Sequence, residues 1–209
     1  MNKNITKRNE LLAQKVIQGL KSRNMEAFYA ADSEEALKKA LEIIPEGSSV
    51  TMGGCMSAIE IGLVDALKAG PYDFIDRDHA EDRRAAVLKA YDADWYLASA
   101  NAMTEDGVIV NVDGSSNRVS AIAHGPKHVL FIVGMNKICK DVDHAMKRAR
   151  NVAAPINAQR FGLSTPCAKT GSCMNCKSPD TICCNIMITR FSRPEDRVKV
   201  ILVNDSLGF

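Results

Sequence analysis

The chain has 209 residues, of which 46% are hydrophobic, and its 27 Lys and Arg residues against 25 Asp and Glu residues leave a formal net charge of +2. A hydrophobic fraction of this size supplies a buried core and argues against disordered and fibrous classes. The near balance of charge and the aromatic content of only 5% argue against nucleic acid or an anionic membrane as the partner.

The N-terminal segment, residues 1–15, lacks the continuous apolar core of a secretory signal peptide. No run of about eighteen apolar residues occurs, which is the length at which a bilayer-spanning helix is considered. We therefore expect a soluble cytoplasmic protein. In a reducing cytosol, clustered thiols are more often metal ligands or redox groups than disulfides.

Helices and strands alternate in the first half of the chain. Apolar residues on one helical face predict a helix over residues 7–23, and a strand follows at 25–31. Asp32 and Glu35 form a capping-box pattern that opens a helix ending at Pro45. The next predicted elements are a strand at 47–53, a helix at 56–70, a strand at 72–77, a helix at 81–93 and a strand at 94–101.

The second half continues this alternation and adds a loop. It contains a turn, strand and turn over 104–117, a helix at 116–125, a strand at 128–134, a helix at 141–154, and strands at 185–191 and 198–204. This order predicts a Rossmann-like α/β fold, with a mainly parallel sheet and helices on both faces. We expect one domain over 1–209, with a cysteine-rich metal-binding loop at 165–185 inserted before the last strands. Ligands of such sheets bind beyond the carboxyl ends of the strands.

A glycine-containing loop follows the strand at 47–53. Gly53 and Gly54 precede a helix whose early turns carry Ser57 and Glu60. Backbone N–H groups in such a turn bind a phosphate or carboxylate, although a tight strand-to-helix connection accounts for the same glycines. Glu60 either projects inward among its apolar neighbours or remains a solvated surface carboxylate.

A second polar segment begins at residue 101. It supplies several hydrogen-bonding side chains within a short span: Asn101, Thr104, Asp106, Asn111 and Asn117. Short polar side chains favour turns in any case. Together, the two loops have a composition that suits a small organic anion or a phosphorylated ligand.

Five of the seven cysteines fall within residues 167–184, with the spacing C-x5-C-x2-C-x6-C-C. Four thiolates complete the ligand shell of either a zinc ion or a [4Fe–4S] cluster. The uneven spacing and the single C-x2-C pair favour iron–sulfur over zinc, with disulfides or metal-free thiols as further alternatives. The predicted ligands are Cys167, Cys173, Cys176 and Cys183. Cys184 is the alternate for Cys183, because adjacent side chains of an extended chain point to opposite faces.

Two runs, residues 52–63 (MGGCMSAIEIGL) and 94–138 (DWYLASAN to GMNKI), resemble the LUD (lactate utilisation) domain family. The resemblance covers residues 5–154 and the closing VKVILVNDSLGF. It implies a fold similar to that of phosphosugar isomerases and CoA-transferases, with a homodimer expected by analogy alone. It also maps residues onto two facing loops: Gly53, Gly54, Ser57 and Glu60 onto the anion-binding loop, and Thr104, Asp106, Gly107 and Asn111 onto the loop opposite.

The resemblance and the cysteine loop together predict a redox-associated protein of lactate or hydroxyacid utilisation. It would be an accessory or electron-transfer protein with a [4Fe–4S] cluster, an organic anion at the strand ends and a redox protein as partner. The alternative is an isomerase or transferase acting on a phosphosugar or CoA ester, with a structural zinc. Glu60 or Asp106 would then act as acid or base and would need a pKa raised by burial. A third alternative is a metal-stabilised ligand-binding or regulatory module without catalysis.

Overall fold

The computed structural model describes residues 2–209. The first half comprises α1 (Lys3–Ser22), β1 (Glu26–Ala30), α2 (Ser33–Ile43), β2 (Ser49–Met52), α3 (Met56–Glu60), α4 (Leu63–Ala69), β3 (Asp73–Ile75), α5 (Arg83–Tyr91) and β4 (Trp95–Ala98). The second half comprises β5 (Ala102–Thr104), β6 (Ile109–Asp113), α6 (Asn117–His124), β7 (His128–Gly134), β8 (Ile138–Cys139), α7 (Val142–Arg148), α8 (Ala154–Arg160), α9 (Pro166–Thr170), β9 (Asn185–Thr189) and β10 (Val198–Val203). Among the helices of residues 2–209, none combines the length and apolar character that a bilayer span requires.

Six parallel strands form the main sheet in the order β1-β10-β7-β4-β2-β3. The run HVLFIVG occupies β7, near the centre of the sheet. Its residues alternate between two cores: Val129 and Phe131 pack with α1 and α6, whereas Leu130 and Ile132 pack with α2, α3 and α4. A strand covered by helices on both faces has no solvated side, so its sequence is apolar throughout. The predicted Rossmann-like fold, mainly parallel with helices on both faces, is confirmed.

A second sheet has the order β8-β5-β6-β9. The β5–β6 hairpin lies at its centre, and β9 pairs antiparallel with β6 from the edge. The sequence predicts a strand at the position of β9, but periodicity says nothing about which strand it pairs with. Since β9 directly follows the cysteine segment, this pairing fixes the end of that segment beside the residues that follow β6.

Two predicted helices have different bounds in the structure. The single helix predicted over 56–70 is wrong, because Gly62 adopts a left-handed backbone (φ +76°) that separates α3 from α4. The helix predicted over 141–154 extends to Arg160 through a π-helical turn at Ala149–Ala153. Pro155 lies just after that turn, and its missing N–H and bulky ring disfavour a regular α-helical ladder there.

Because the six strands run parallel, the loops that follow them meet at one edge of the sheet. Residues 53–55 follow β2, residues 76–78 follow β3, residues 99–101 follow β4, residues 135–137 follow β7, and residues 204–209 follow β10. The predicted ligand position, beyond the carboxyl ends of the strands, is therefore where the loops of five strands converge.

Candidate functional site

A cleft of about 530 Å³ lies at this edge of the sheet. Its floor is formed by loop residues that follow parallel strands, among them Gly54, Arg77, Ser99 and Lys137. Residues of α6 and α8, together with Ile182 from the cysteine segment, form the facing wall. The volume matches the range of small-molecule sites, roughly 300–1,000 Å³.

Positive side chains dominate the lining of the cleft. The five cationic residues are Arg77, Arg83, Arg118, Lys137 and Arg160, against the two carboxylates of Asp78 and Asp113. The carboxylate of Asp113 is already engaged, since it accepts hydrogen bonds from the backbone N–H groups of Ser115, Ser116, Arg118 and Val119 at the start of α6. The excess of cations leaves the cleft suited to an anion.

Two of these arginines have donors free for a ligand. Arg77 is only 6% exposed, its buried Nε has no hydrogen-bond partner among the described residues, and it lies 3.9 Å from Asp78 Oδ1. The Arg160 guanidinium stacks on the ring of Phe161 at 4.2 Å, and burial, followed by the nearby Arg118, lowers its pKa. A buried donor without an acceptor is uncommon in folded proteins, so Arg77 is a candidate contact for a carboxylate or phosphate. Arg160 is a second candidate because it is exposed in the cleft and, among the described residues, only its Nη1 is engaged, by Met56 Sδ at 3.4 Å.

Arg118 differs because its guanidinium is fixed by the protein. It donates to the backbone oxygens of Ser99 (3.3 Å) and Val112 (2.6 Å) and to Asn101 Oδ1 (3.0 Å). These bonds tie the end of β4 to β6 and α6. Arg118 therefore shapes the cleft and contributes charge to it.

A buried lysine lies at the floor of the cleft. Lys137 is 2% exposed, and its Nζ donates to Ser99 Oγ at 2.9 Å and to Ser57 Oγ at 3.2 Å. The two hydroxyls are themselves 3.2 Å apart. Burial lowers the pKa of Lys137 to about 8; Arg148 and Arg118 act in the same direction, and Cys55 and Glu60 oppose them.

The predicted anion-binding loop contributes to this site. Gly54 lines the cleft, and Gly53 must lack a side chain because a Cβ there would lie 2.5 Å from Tyr96 Oη. Ser57 is fully buried beneath the cleft in contact with Lys137. Asn101 lines the cleft, and its Oδ1 also accepts from the backbone N–H of Val112.

The residues predicted on the facing loop lie elsewhere. Thr104, Asp106 and Gly107 form the β5–β6 turn against α1, where a Cβ on Gly107 (φ +86°) would lie 2.5 Å from the backbone N of Leu20. Asp106 accepts from Thr104 Oγ1 and pairs with Arg23. The hydrogen bond from Thr104, followed by that from Arg23, lowers the pKa of Asp106, the opposite of what an acid–base role requires. None of the three lines the cleft.

Asn111 and Glu60 support the cleft from outside its lining. Asn111 is fully buried and donates from Nδ2 to the backbone oxygen of Ser99 at 2.9 Å, which fixes the position of Ser99. The Glu60 carboxylate is exposed and accepts from the backbone N–H of Gly208 at 2.7 Å. It therefore holds the segment that follows β10 against α3.

The four predicted metal ligands converge. Cys167, Cys173, Cys176 and Cys183 all line a second cavity, of about 160 Å³. Cys184 does not line it; its thiol is exposed and contacts the backbone oxygen of Thr181. Burial, followed by the neighbouring thiols of this set, raises the pKa of Cys183 to about 11. All seven cysteines are free thiols in the structure.

The spacing of these thiols bears on which metal they fit. Within residues 2–209, no group of three or more His, Cys, Asp or Glu side chains is arranged to hold a metal ion. A structural zinc needs four ligands at about 2.0–2.3 Å from one point, and the thiols are not preorganised in that way. In a [4Fe–4S] cluster each thiolate binds a different iron, so its ligands surround a larger volume. Four thiols lining one cavity supply the number and kind of donors that such a cluster requires.

The cysteine cavity and the cationic cleft are neighbours. Ala154 of α8 and Ile182 of the cysteine segment line both. On the cysteine side, Arg150 Nη2 lies 3.7 Å from Cys173 Sγ and donates to Asn175 Oδ1 at 2.6 Å. A group held by the cysteines would therefore be separated from a ligand in the cleft by a thin apolar wall.

Sequence reasoning missed the residues that give the cleft its charge. Arg77 follows a three-residue strand, Arg160 ends a helix, and Lys137 follows β7 in a short 3₁₀ turn. Each resembles an ordinary surface cation in the sequence. The available signal was position, because Arg77, Ser99 and Lys137 all lie within three residues of the end of a parallel strand.

Comparison with known proteins identifies the family of the chain and a solved structure with a similar fold. The model of the LUD domain matches residues 13–203, and no curated protein matches the chain. The crystal structure of a DUF162 family protein from Deinococcus radiodurans is similar with a TM-score of 0.53 at 13% identity, covering 94% of this chain and 98% of that one. Ribose 5-phosphate isomerase A from Neisseria gonorrhoeae has a TM-score of 0.37 at 14% identity, covering 53% of this chain and 54% of that one. The DUF162 structure therefore shares the fold of nearly the whole chain.

Proposed function

The chain belongs to the LUD (lactate utilisation) domain family, and on that premise we propose that it is a redox-associated protein of lactate or hydroxyacid utilisation. It binds a small organic anion in the cationic cleft and holds a [4Fe–4S] cluster between Cys167, Cys173, Cys176 and Cys183. One observation carries this proposal: the cleft and the four-cysteine cavity share the wall formed by Ala154 and Ile182.

The lining of the cleft supports a carboxylate ligand. An arginine guanidinium binds a carboxylate through parallel N–H···O bonds, and Arg77 has a buried Nε without a partner among the described residues. Arg160, on α8, also lines the cleft, beside Met56. Ser99, Asn101 and Asn157 add neutral hydrogen-bonding groups, which suit the hydroxyl or carbonyl oxygen of a small acid.

The donor set of the cysteine cavity supports the cluster. Among the described residues that line it, the strong metal ligands are four thiols, and the remaining lining includes the apolar side chains of Met174, Ile182 and Ile186. The Arg150 guanidinium beside Cys173 offsets part of the negative charge that four thiolates bring, as outer contacts do in metal sites. Such a cluster supplies single-electron transfer. Since oxidation of a hydroxyacid releases two electrons, we propose a redox protein as the partner that completes the exchange.

The alternative function keeps the cleft and changes its ligand. An excess of cations also favours the phosphate of a phosphosugar or CoA ester, as an isomerase or transferase would require. The positions of the candidate acid–base residues favour it less, because Glu60 is exposed and Asp106 belongs to the β5–β6 turn. Binding measurements with both ligand classes separate the two functions.

Adjacent cysteines provide a matched test of the cluster. The full chain, purified without oxygen and reconstituted with iron and sulfide, is expected to hold about four iron atoms per chain. Cys183→Ser is expected to lose most of this iron because Cys183 lines the cavity. Cys184→Ser, one residue away and outside the cavity, is expected to retain it. Stoichiometric zinc, or equal losses in the two variants, would contradict the proposal.

Adjacent arginines provide a matched test of the anion site. Arg83 lines the cleft and Arg84 does not, although both are exposed residues of α5. We expect lactate or pyruvate to raise the melting temperature of the protein, and Arg160→Gln and Arg83→Gln to weaken that binding, by about tenfold for Arg160. Arg84→Gln is expected to bind like the unaltered chain. Binding of phosphosugars or CoA esters in preference to small acids would favour the alternative function.

A further inference from the structure

The cluster of Lys137, Ser57 and Ser99 has a property that anion binding alone does not explain. Lys137 is buried, and among residues 2–209 no carboxylate lies within salt-bridge distance of its Nζ. Burying an unpaired ammonium group is costly, and an apolar side chain at this position would avoid that cost. A buried lysine at the floor of a cleft is therefore a candidate for chemistry.

We propose that Lys137 forms a reversible Schiff base with the carbonyl of a small 2-oxo acid bound in the cleft. This inference rests on the proposed anion site and names its substrate class: a carboxylate for the arginines, with a ketone or aldehyde carbon beside it for the amine. A 2-oxo acid is also what the oxidation of a 2-hydroxy acid yields, so the inference agrees with the proposed function.

Lys137 belongs to the wall of the cleft. Lys137 and Ser99 both line it, whereas Ser57 lies beneath. Gly208 covers the cluster from the side of residues 204–209, since a Cβ there would lie 3.1 Å from Lys137 Nζ and 3.0 Å from Ser57 Oγ. Two serine hydroxyls and this backbone surround Nζ, and the cleft is the side from which the proposed carbonyl would approach.

The amine is also in a reactive state near neutral pH. Burial lowers the pKa of Lys137 to about 8, helped by Arg148 and Arg118 and opposed by Cys55 and Glu60. Roughly a tenth of the amine is then neutral at pH 7, against less than about a thousandth for an ordinary lysine with a pKa near 10.4. The neutral amine is the nucleophile in Schiff-base chemistry.

The reaction balances without an oxidant. The lone pair of Nζ attacks the carbonyl carbon, the C=O π pair moves to oxygen, and a proton passes from nitrogen to that oxygen to give a carbinolamine. A second proton transfer to the hydroxyl releases water as the C=N bond forms. Ser99 and Ser57 are placed to carry these protons, because each hydroxyl both donates and accepts and both contact Nζ.

Reductive trapping tests this proposal directly. The full chain is incubated with pyruvate and sodium cyanoborohydride, digested, and analysed by mass spectrometry. We expect one reduced pyruvate adduct on Lys137 and none on Lys140, an exposed lysine three residues away. Lys137→Arg is expected to abolish the adduct and Lys140→Arg to leave it. Ser99→Ala is expected to slow its formation about a hundredfold, the lower end of the range for loss of a proton-transfer group.

A binding measurement on the same samples separates this proposal from the proposed function. If pyruvate raises the melting temperature but no adduct appears on Lys137, the Schiff-base inference is overturned and the anion site stands. If neither pyruvate nor lactate binds and no adduct forms, both fail. Adducts spread evenly over exposed lysines also overturn the inference. Because adducts are located within the unaltered protein, the result does not depend on whether a variant folds.

Discussion

Lys137 shows how one side chain can be unfavourable for stability and still define a site. The protein contributes two serine hydroxyls to its amine and no carboxylate among the described residues, which places the charged form at a disadvantage. The sequence around it, VGMNKICK, gives no indication of burial. The apolar run predicts β7 but gives no information about the residues after it. There a 3₁₀ turn directs the lysine inward.

Replacing Lys137 by methionine is expected to change the pH dependence of stability. The folded pKa of about 8 lies below the ordinary value of about 10.4, so the unfolded chain holds the proton more tightly between these pH values. The burial penalty is therefore full below pH 8 and is relieved as the pH rises toward 10. The free energy of unfolding of Lys137→Met, relative to the unaltered chain, is expected to fall by about 2 kcal/mol between pH 7 and pH 10.

Denaturant unfolding at a series of pH values measures this difference. Lys21→Met, at an exposed position in the last turn of α1, is the control and is expected to show no such trend. A difference for Lys137→Met that stays constant from pH 7 to pH 10 would show that the lysine is not destabilised by burial.

At the scale of elements, the sequence predicts where most strands and helices lie, but it does not predict which elements pack against one another. The main-sheet strands and the helices α1, α2, α5 and α6 fall close to their predicted positions, because alternation and capping signals are local. Gly53, Gly54 and Ser57 could be assigned to the cleft for the same reason. The β5–β6 turn, which the resemblance placed opposite the anion-binding loop, lies against α1 in the structure, and local sequence does not reveal this contact of Gly107.

Helix α6 depends on one carboxylate for its position at the cleft. Asp113 accepts four backbone N–H groups around the start of α6, and the helix carries Asn117 and Arg118 into the lining. Asp113→Ala leaves these donors without their partner and is expected to lower the free energy of unfolding by about 2 kcal/mol, the upper range for a helix cap. It is also expected to weaken lactate or pyruvate binding, because Arg118 loses its support.

The cap of α5 provides the comparison. Asp82 accepts a single capping bond, from the N–H of Ala85, at an exposed position. Asp82→Ala is expected to lower the free energy of unfolding by about 1 kcal/mol or less. Equal losses in the two variants, measured by denaturant unfolding, would mean that Asp113 is no more than an ordinary cap.

For the whole molecule, the arrangement of the two sheets decides what the cysteine segment can influence. The main sheet has helices on both faces and its own two cores, whereas residues 165–184 lie between α8 and the edge strand β9. Spacing alone predicted this segment as a metal-binding loop, and the four thiols named from it line one cavity. It could not predict that the segment borders the cleft, since that proximity arises from the pairing of β9 with β6.

Removing the proposed cluster is therefore expected to loosen the cysteine segment and leave the main sheet folded. Lys169 and Lys177 are exposed within this segment, and trypsin is expected to cleave there several-fold faster in metal-free protein or in Cys173→Ser than in reconstituted protein.

Lys199 lies within β10, paired on both sides by β1 and β7, and is expected to resist cleavage in every form because cutting it requires the sheet to open. Cys184→Ser should retain the slow pattern, since that thiol lies outside the cavity. Identical cleavage at Lys169 and Lys177 with and without metal would mean that the four thiols do not close around a shared centre, whereas new cleavage at Lys199 would mean that the centre supports the entire fold.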